Sequence, residues 1–327
     1  METRILGRTG RPVSVIGLGT WQLGADWGEV DPADARAVLE TSLEAGVTFY
    51  DTADVYGDGR SERFLGEFLA AHPGAGITIA TKLGRRMPQV PANYTLDNFR
   101  AWTSRSRSNL GVDTLDLVQL HCPPTAVYQS DMVFDALDTL VDEGAIAAYG
   151  VSVEETAQAL TAIERPAVAT VQIILNAFRL KPLDEVLPAA RHTGVGIIAR
   201  VPLASGLLSA KYTESTTFAE NDHRTYNRGG EAFDVGETFS GVDFATGVEA
   251  AREFAALVPD GMTAAQAALA WIAQLPEVST VIPGARNPQQ ARANAEAGAL
   301  RDLGDDFRRG ISEIYDRHFR AAVHSRW

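Results

Sequence analysis

Four side chains of the kinds that move protons lie at the ends of successive short apolar segments. Asp51 ends the segment VTFYD, and Tyr56 follows it closely. Lys82 ends ITIATK, and His121 ends LDLVQLH. A free tyrosine has a pKa of about 10, too high for efficient proton exchange at neutral pH, and a nearby ammonium group lowers that pKa. An aspartate can hold the ammonium in place and a histidine can orient the acceptor oxygen. The set therefore predicts proton transfer to a carbonyl oxygen, with a hydride supplied by a cofactor.

Each of these residues also has a purely structural interpretation. Asp51 can begin a turn, Tyr56 can be a packed aromatic residue, and His121 can be a buried histidine at a strand end. Lys82 is harder to explain in this way, because Lys82, Lys181 and Lys211 are the only lysines among 29 Lys and Arg residues. A buried lysine can shift its pKa, whereas an arginine stays charged. The joint occurrence of the four residues at successive strand ends favours a function.

The elements that must position these residues alternate along the chain. Amphipathic stretches of helical period separate nearly continuous apolar segments, a pattern typical of a parallel sheet covered on both faces. Eight such units in 327 residues favour a closed (β/α)8 TIM barrel, with an open doubly wound sheet as the alternative. Functional residues of such a barrel lie at the C-terminal ends of its strands. The predicted strands are 14–19, 47–51, 77–82, 115–121, 146–152, 168–174, 195–200 and 279–284.

Other parts of the chain complete this predicted fold. The segment RILGRTGRPVS at 4–14 predicts a β-hairpin with its turn at Thr9-Gly10, which would close the bottom of the barrel. Residues 203–246 follow the seventh strand with little periodicity and predict a long loop over the mouth. No linker divides the chain, so we expect one domain over 1–327. The predicted helices are 32–45, 61–71, 95–110, 130–143, 153–163, 183–192, 247–257, 263–274, 287–299 and a C-terminal helix at 304–321.

Composition narrows the classes of function. The chain has 29 basic and 42 acidic residues and a net charge of −13, which argues against nucleic-acid partners and anionic membranes. It has no run of about 18 apolar residues and no apolar secretory signal, so we expect a cytoplasmic protein. Its one cysteine, Cys122, excludes an internal disulfide and a Cys-cluster zinc site. We interpret Cys122 as a buried thiol, and the sequence gives no indication of the oligomeric state.

Several motifs resemble those of the aldo-keto reductase superfamily. They cover nearly the whole chain: GLGTWQLG at 17–24, FYDTADVYGDGRSERFLGEFL at 49–69, ATKLG at 80–84, LDLVQLHCP at 115–123, GVS at 150–152, VQIILN at 171–176, PLASGLLSAKY at 202–212 and VIPGARNPQQARAN at 281–294. The resemblance extends to oxidoreductases related to potassium-channel β-subunits. It implies a (β/α)8 barrel and a metal-free, reversible reduction of an aldehyde or ketone to an alcohol with NAD(P)H.

The resemblance also implies catalytic roles. The family's tetrad falls on Asp51, Tyr56, Lys82 and His121. Tyr56 would be the general acid in reduction and the general base in oxidation. Lys82, with Asp51, would lower the pKa of Tyr56. His121 would position the carbonyl group that accepts a hydride from the nicotinamide.

Cofactor positions follow from the same resemblance. Val153 stands where the family usually has Asn, Arg200 where many members have a Tyr on the nicotinamide, and Ala293 where Glu is common. Arg286 would bind the 2′-phosphate of NADPH, because arginine suits bidentate phosphate recognition, and NADH is the second option. The implied positions are Gly19, Thr20 and Trp21 at the nicotinamide and substrate mouth; Asp51; Ser152 and Gln172 at the carboxamide; Arg200; Pro202, Leu203, Ser205, Gly206, Leu207 and Lys211 at the pyrophosphate; and Gly284, Arg286, Gln290 and Asn294 at the adenosine.

Two other functions stay open from the sequence. A protein of the same fold could bind nucleotide with slow turnover and act as a regulatory protein. Lys82 could instead form a Schiff base, as in an aldolase of the barrel class. The substrate, a small carbonyl or alcohol, would be selected by the loops 121–132 and 206–246 and by the tail that ends in Trp327. Aromatic residues that could line its pocket are Trp21, Trp27, Tyr56, Phe218, Phe233 and Phe239, with Trp102 more typical of helix packing.

Overall fold

The chain begins with a hairpin that closes one end of a barrel. The structure is a computed structural model that describes residues 1–24 and 31–327. Strands β1 (Thr3–Ile5) and β2 (Pro12–Ser14) pair antiparallel, and Gly10 in their turn has a φ of 69°, which favours glycine. A Cβ on Gly7 would lie 2.2 Å from the carbonyl oxygen of Ala169, at the start of a barrel strand. The predicted hairpin is therefore confirmed, and it packs against the N-terminal ends of the strands.

Eight parallel strands formed by the described residues lie side by side in chain order. The pairs Ile16–Val281 and Gly19–Gly284 bridge the first of these strands to the last, so the sheet closes on itself. The predicted (β/α)8 barrel is confirmed. The predicted first strand, 14–19, is shorter in the structure, because Ser14 belongs to the hairpin. The barrel strands are β3 (Leu18–Gly19), β4 (Phe49–Asp51), β5 (Thr78–Leu83), β6 (Leu117–His121), β7 (Tyr149–Ser152), β8 (Val168–Ile174), β9 (Gly196–Arg200) and β10 (Val278–Val281).

Helices cover the outside of the sheet and bury one apolar face each. In the first of them Val38 and Leu39 are buried, and Asp31 accepts a hydrogen bond from the backbone of Ala33 as the N-cap. The helices are α1 (Pro32–Glu44), α2 (Arg60–Ala71), α3 (Leu96–Leu110), α4 (Thr125–Tyr128), α5 (Asp131–Asp142), α6 (Thr156–Ile163), α7 (Val186–Thr193), α8 (His223–Tyr226), α9 (Phe244–Leu257), α10 (Ala264–Ala273), α11 (Pro288–Glu296), α12 (Gly304–His318) and α13 (Arg320–Val323).

One difference from the predicted helices bears on the site. Helix α6 was expected from residue 153 and begins at Thr156, because Glu155 and Gln158 form a capping box there. Val153 and Glu154 are therefore left outside the helix, at the C-terminal end of β7. The sequence also predicts one last helix over 304–321, which the structure divides into α12 and α13.

The long loop between β9 and α9 is folded onto the barrel mouth. It holds short helical turns at Ala204–Ser209, Val235–Glu237 and Phe239–Gly241, besides α8. The tail residue Trp327 is buried and donates a hydrogen bond from its indole nitrogen to Asp234 of this loop, at 3.1 Å. None of the helices formed by the described residues has the length and apolar character needed to cross a bilayer.

Candidate active site

A cavity of about 450 Å³ opens at the C-terminal ends of the barrel strands. The long loop forms part of its wall through His223, Phe233 and Glu237. Because all the parallel strands end on the same side, residues far apart in the chain meet here. Each strand, or the residues directly after it, contributes to the lining through Gly19, Asp51, Lys82, His121, Ser152, Gln172, Arg200 and Gly284.

A buried ion pair lies at the floor of this cavity. The Nζ of Lys82 donates hydrogen bonds to Oδ2 of Asp51 at 2.5 Å and to the carbonyl oxygen of Thr52 at 2.8 Å. The other carboxylate oxygen of Asp51 accepts from Gln172 at 2.7 Å and from Gln119 at 3.2 Å. Burial lowers the pKa of Lys82, but the attraction of Asp51 outweighs burial, so that the pKa is raised. Lys82 is therefore a charged ammonium with a fixed position.

Tyr56 lies directly above this ammonium. Its hydroxyl accepts a hydrogen bond from Nζ of Lys82 at 3.4 Å, and the ammonium is 5.1 Å from the centre of the ring. Burial raises the pKa of Tyr56 more than Lys82 lowers it, so the net shift is upward. The sequence-based expectation that Lys82 lowers the pKa is thus correct for the contribution of Lys82 and wrong for the net direction. At neutral pH Tyr56 carries its proton.

His121 faces Tyr56 across the cavity, with ring centres 5.9 Å apart and planes at 83°. Its Nδ1 is buried without a hydrogen-bond partner among the described residues. A buried N–H group without an acceptor costs more free energy than a buried nitrogen lone pair without a donor. The neutral ring is therefore favoured with its proton on Nε2 and not on Nδ1. Burial, with the nearby Arg85, Lys82 and Arg200, lowers the pKa of His121 well below its usual value. His121 is therefore a neutral donor.

Arg200 is held between two carboxylates. Its guanidinium contacts Glu154, which follows β7, at 2.8 Å, and Glu237 of the long loop at 2.9 Å. It also donates to the carbonyl oxygen of Val153 at 3.1 Å. These contacts fix the plane and the position of a cation that would otherwise be free to move in the cavity.

Most of the sequence-predicted cofactor positions line the cavity, and three do not. Leu207 is buried in the core, where it packs against Gly247. Lys211 is exposed, and Asn294 donates a hydrogen bond to the carbonyl oxygen of Gly284 at 3.1 Å. The lining positions are Gly19, Thr20, Trp21, Asp51, Ser152, Gln172, Arg200, Pro202, Leu203, Ser205, Gly206, Gly284, Arg286 and Gln290.

The backbone at the start of the long loop has an uncommon conformation. Ala204, Ser205 and Gly206 have φ values of 48°, 57° and 95° in succession. Two N–H groups of this segment donate within the turn, from Ala204 to the carbonyl oxygen of Val201 at 3.1 Å and from Gly206 to that of Leu203 at 2.8 Å. Gly206 is required twice, because its φ is positive and because a Cβ there would lie 2.3 Å from the hydroxyl of Tyr212. The segment therefore forms a tight turn in the cavity wall.

Several lining residues gave little signal in the sequence. Glu237 and His223 lie in a loop without periodicity, so nothing marked them. Arg85 comes three residues after Lys82 and could have been found by following that strand end further. Its Nε donates to the carbonyl oxygen of His121 at 3.2 Å, and its guanidinium is 3.9 Å from Glu154.

The predicted aromatic set is divided by the structure. Trp21, Tyr56 and Phe233 line the cavity, with Trp21 5.7 Å from Phe233. Phe218 and Phe239 contact each other and are not in its lining. Trp102 packs against Phe99, as expected for a helix residue. Trp27 lies outside the described residues.

Cys122 is partly exposed beside the cavity floor, 3.4 Å from the hydroxyl of Ser152. Burial raises the pKa of its thiol to about 12. The sequence predicts a buried thiol, and this is wrong, because Cys122 is partly exposed and lines the cavity. Since the thiolate is the reactive form, the raised pKa of Cys122 still makes it a poor nucleophile at neutral pH.

Comparison with known proteins agrees with this geometry. Residues 15–316 match the model of the Aldo/keto reductase family. The chain belongs to the aldo/keto reductase family. The predicted superfamily is therefore confirmed, and with it an NAD(P)H-dependent oxidoreductase.

Several known proteins resemble the chain over nearly its whole length. The glycerol dehydrogenase of Gluconobacter oxydans has a TM-score of 0.79 and 29% identity, covering 97% of this chain and 95% of that one. An aldo/keto reductase of Klebsiella pneumoniae in complex with NADPH has a TM-score of 0.69 and 22% identity, covering 96% of both chains. A probable voltage-gated potassium channel subunit beta of Arabidopsis thaliana is 29% identical over 91% of both chains.

Proposed function

We propose that this aldo/keto reductase uses NADPH to reduce an aldehyde or ketone, and that it also catalyses the reverse oxidation of the alcohol. The observation that carries the proposal is the contact between Tyr56 and Lys82, at 3.4 Å, beside the neutral ring of His121. A protonated phenol and a neutral imidazole, with ring centres 5.9 Å apart, line the same cavity. Such a pair stabilises the negative charge that develops on a carbonyl oxygen.

The residues at the rest of the cavity fit NADPH, which supplies the hydride when bound. Arg286 lines the cavity and offers a cationic donor for a phosphate group. Ser152 and Gln172 lie near the tetrad and would hold the carboxamide. Gln172 already donates its amide N–H to Asp51, so its oxygen is the atom left for a ligand. The reductase from Klebsiella pneumoniae that contains NADPH supports this choice of cofactor.

In this proposal each member of the tetrad has one task in the proton transfer. Tyr56 gives its proton to the carbonyl oxygen. Lys82 stabilises the phenolate that remains, and Asp51 keeps Lys82 charged and in place. His121 donates a hydrogen bond from Nε2 to the same oxygen and so fixes the direction of the carbonyl group. In alcohol oxidation the proton moves in the opposite direction.

The pH profile of kcat/KM for carbonyl reduction should show no step caused by the titration of His121. Because the pKa of His121 is lowered well below its usual value, the neutral form of the ring is favoured at neutral pH. Reduction needs protonated Tyr56, whose pKa is raised, so kcat/KM should fall only as pH rises above about 10. The profile of kcat/KM for wild type and for His121→Gln tests this. A decline in kcat/KM below pH 7 that vanishes in the variant would contradict it.

Replacing Arg286 with alanine should weaken NADPH binding about 10- to 100-fold and leave NADH binding nearly unchanged. The guanidinium is half-exposed and 3.7 Å from Asp222 of the long loop, where it could meet the 2′-phosphate. Hydrogen bonds to charged groups contribute about 1.5–3 kcal/mol. Fluorescence titration with both reduced cofactors measures the effect. Arg301→Ala, at an exposed arginine outside the cavity, is the control. Equal weakening of both cofactors would refute the assignment.

Two alternative functions can be weighed against these contacts. Schiff-base formation needs an uncharged lysine, and the ion pair with Asp51 raises the pKa of Lys82. A regulatory role with slow turnover draws support from the relative in Arabidopsis thaliana, whose name refers to a channel subunit. The complete tetrad favours catalysis over that role.

A panel of aldehydes, ketones and alcohols tests the proposed function, with nicotinamide absorbance as the readout and NADPH and NADH in parallel. Steady turnover of a carbonyl with NADPH supports it. Tight cofactor binding without turnover on any compound would favour the regulatory role. Borohydride trapping of Lys82 with a carbonyl, in the absence of nicotinamide, would favour the aldolase. Polyols belong in the panel, because the relative from Gluconobacter oxydans is a glycerol dehydrogenase.

Other expectations from the sequence stay predictions. They are a cytoplasmic location, a small-molecule substrate without a nucleic-acid partner, and one domain over 1–327. Cell fractionation and limited proteolysis are the direct measurements.

A further inference from the structure

Among the described residues of the long loop, Glu237 is the only carboxylate that contacts Arg200. Its Oε1 lies 2.9 Å from Nη1 of Arg200, and its side chain is 14% exposed. Burial opposes the charge on Glu237, but Arg200 and then Arg85 outweigh burial, so the pKa of Glu237 is lowered. Glu237 is therefore a fixed negative charge in the cavity wall at neutral pH.

The carboxylate of Glu237 is close enough to act on the reacting atoms. It lines the same cavity as Tyr56 and His121, and its charge contributes to the raised pKa of Tyr56. Arg200 lines the same cavity and contributes to the lowered pKa of His121. A nicotinamide ring that exchanges a hydride with a carbonyl held by Tyr56 and His121 must therefore lie close to the charges of Glu237 and Arg200.

The position of Glu237 is held on both sides by hydrogen bonds. Its carbonyl oxygen accepts a hydrogen bond from the hydroxyl of Ser205 at 2.7 Å. Asp234, three residues earlier, accepts the indole N–H of Trp327 at 3.1 Å. Trp327 is anchored in turn, because its carbonyl oxygen accepts from Thr156 at 2.8 Å. The loop therefore presents this carboxylate to Arg200 in a defined geometry.

The two forms of the cofactor differ in one charge at the reactive ring. The oxidised nicotinamide is positively charged and the reduced nicotinamide is neutral, while the phosphates and the adenosine are the same. A cation at the ring, such as Arg200, disfavours only the oxidised form. An anion at the same place favours only the oxidised form.

We propose that Glu237 offsets the charge of Arg200 at the nicotinamide and thereby sets the relative affinity of the site for oxidised and reduced cofactor. The inference rests on the proposed function, since it needs a nicotinamide at this end of the cavity. Glu154 also contacts Arg200, at 2.8 Å, but burial raises the pKa of Glu154 whereas the pKa of Glu237 is lowered, so Glu237 is the more firmly charged of the two carboxylates. With Glu237 in place the chain can keep an arginine at this position and still bind the oxidised cofactor. The long loop is then a determinant of the redox balance of the bound cofactor as well as a cover.

The test compares the dissociation constants of NADP⁺ and NADPH in the full chain, measured by calorimetry without substrate. Glu237→Gln should raise the ratio Kd(NADP⁺)/Kd(NADPH) about tenfold. For a two-electron couple, a tenfold change corresponds to a potential of the bound cofactor about 30 mV more positive. A loosened loop would weaken both forms by the same factor, so the ratio isolates the charge.

Three further variants make the test specific. Glu237→Asp keeps the charge and should keep the ratio within about threefold of wild type. Glu220→Gln removes the same charge from an exposed position of the same loop and should change nothing. Glu237→Ala removes the charge without introducing an amide group, and it should shift the ratio in the same direction as Glu237→Gln. It serves as the second charge-removing variant if Glu237→Gln fails to fold.

The outcomes separate this inference from the proposed function. An unchanged ratio in folded Glu237→Gln, or an equal shift in Glu237→Asp, overturns the inference and leaves the reductase assignment intact. A wild-type chain that binds neither NADP⁺ nor NADPH overturns the proposed function itself.

Discussion

Replacing Tyr56 with phenylalanine is expected to lower kcat for carbonyl reduction by about a thousandfold, while the Kd for NADPH stays within about threefold of wild type. The change removes one oxygen atom and with it the proton that the carbonyl must receive. General acid catalysis contributes about 10²- to 10⁴-fold in enzymes. The ring itself remains, with its contacts to Trp21 at 6.2 Å and to His121 at 5.9 Å.

Single-turnover and steady-state rates, followed by nicotinamide absorbance, measure this loss, and fluorescence titration measures the Kd. Tyr149→Phe is the matched control, because it also deletes one tyrosine hydroxyl. That hydroxyl donates a hydrogen bond to Asp138 at 2.7 Å, and Tyr149 does not line the cavity. Its kcat should equal that of wild type. Wild-type turnover in Tyr56→Phe would remove Tyr56 from the mechanism and with it the proposed function.

Replacing Lys82 with methionine is expected to lower kcat about 10²- to 10⁴-fold and to destabilise the fold by about 3–5 kcal/mol. The catalytic loss follows because the phenolate of Tyr56 loses its only contacting cation among the described residues. The loss of stability follows because Asp51, with a side chain 5% exposed, is left as a buried charge without its ion-pair partner. Two hydrogen bonds from Gln172 and Gln119 remain, but they do not neutralise it.

A double variant separates the two effects. Adding Asp51→Asn to Lys82→Met removes the uncompensated charge, so part of the free energy of unfolding should return while kcat stays low. Urea denaturation measures the stability, and Lys181→Met, at a lysine outside the cavity, is the control. If Lys82→Met unfolds at the same urea concentration as wild type, the ion pair does not stabilise the fold. If its kcat is unchanged, Lys82 has no part in the proton transfer.

Much of the site could be predicted from the sequence because the relevant information is local. Each of Asp51, Lys82 and His121 ends an apolar segment, and in a parallel barrel all such ends lie on one side. The period of the apolar residues and the turn at Gly10 likewise predict the barrel and its hairpin. These patterns hold for any chain that closes in this way, so they do not depend on the details of packing.

The positions that the sequence predicted less well lie where regular patterns stop. Leu207 shares a loop with residues that line the cavity, yet its side chain turns into the core. Helix α6 begins three residues late because of a capping box, and this leaves Glu154 free to reach Arg200. Glu237 lies in a segment without periodicity, so only its contact with Arg200 identifies it.

The sequence by itself determined the fold class and the family, and it pointed to the four residues proposed as the tetrad. Only the tertiary structure decided which charges neutralise one another and in what direction the pKa of Tyr56 moves. Arg200 meets Glu154 and Glu237 across long stretches of chain, and the pKa of Tyr56 reflects burial set against the charge of Lys82. The reason is physical: electrostatic energies depend on distance and on exclusion of water, and both are set only when the barrel has closed and the long loop has folded over its mouth.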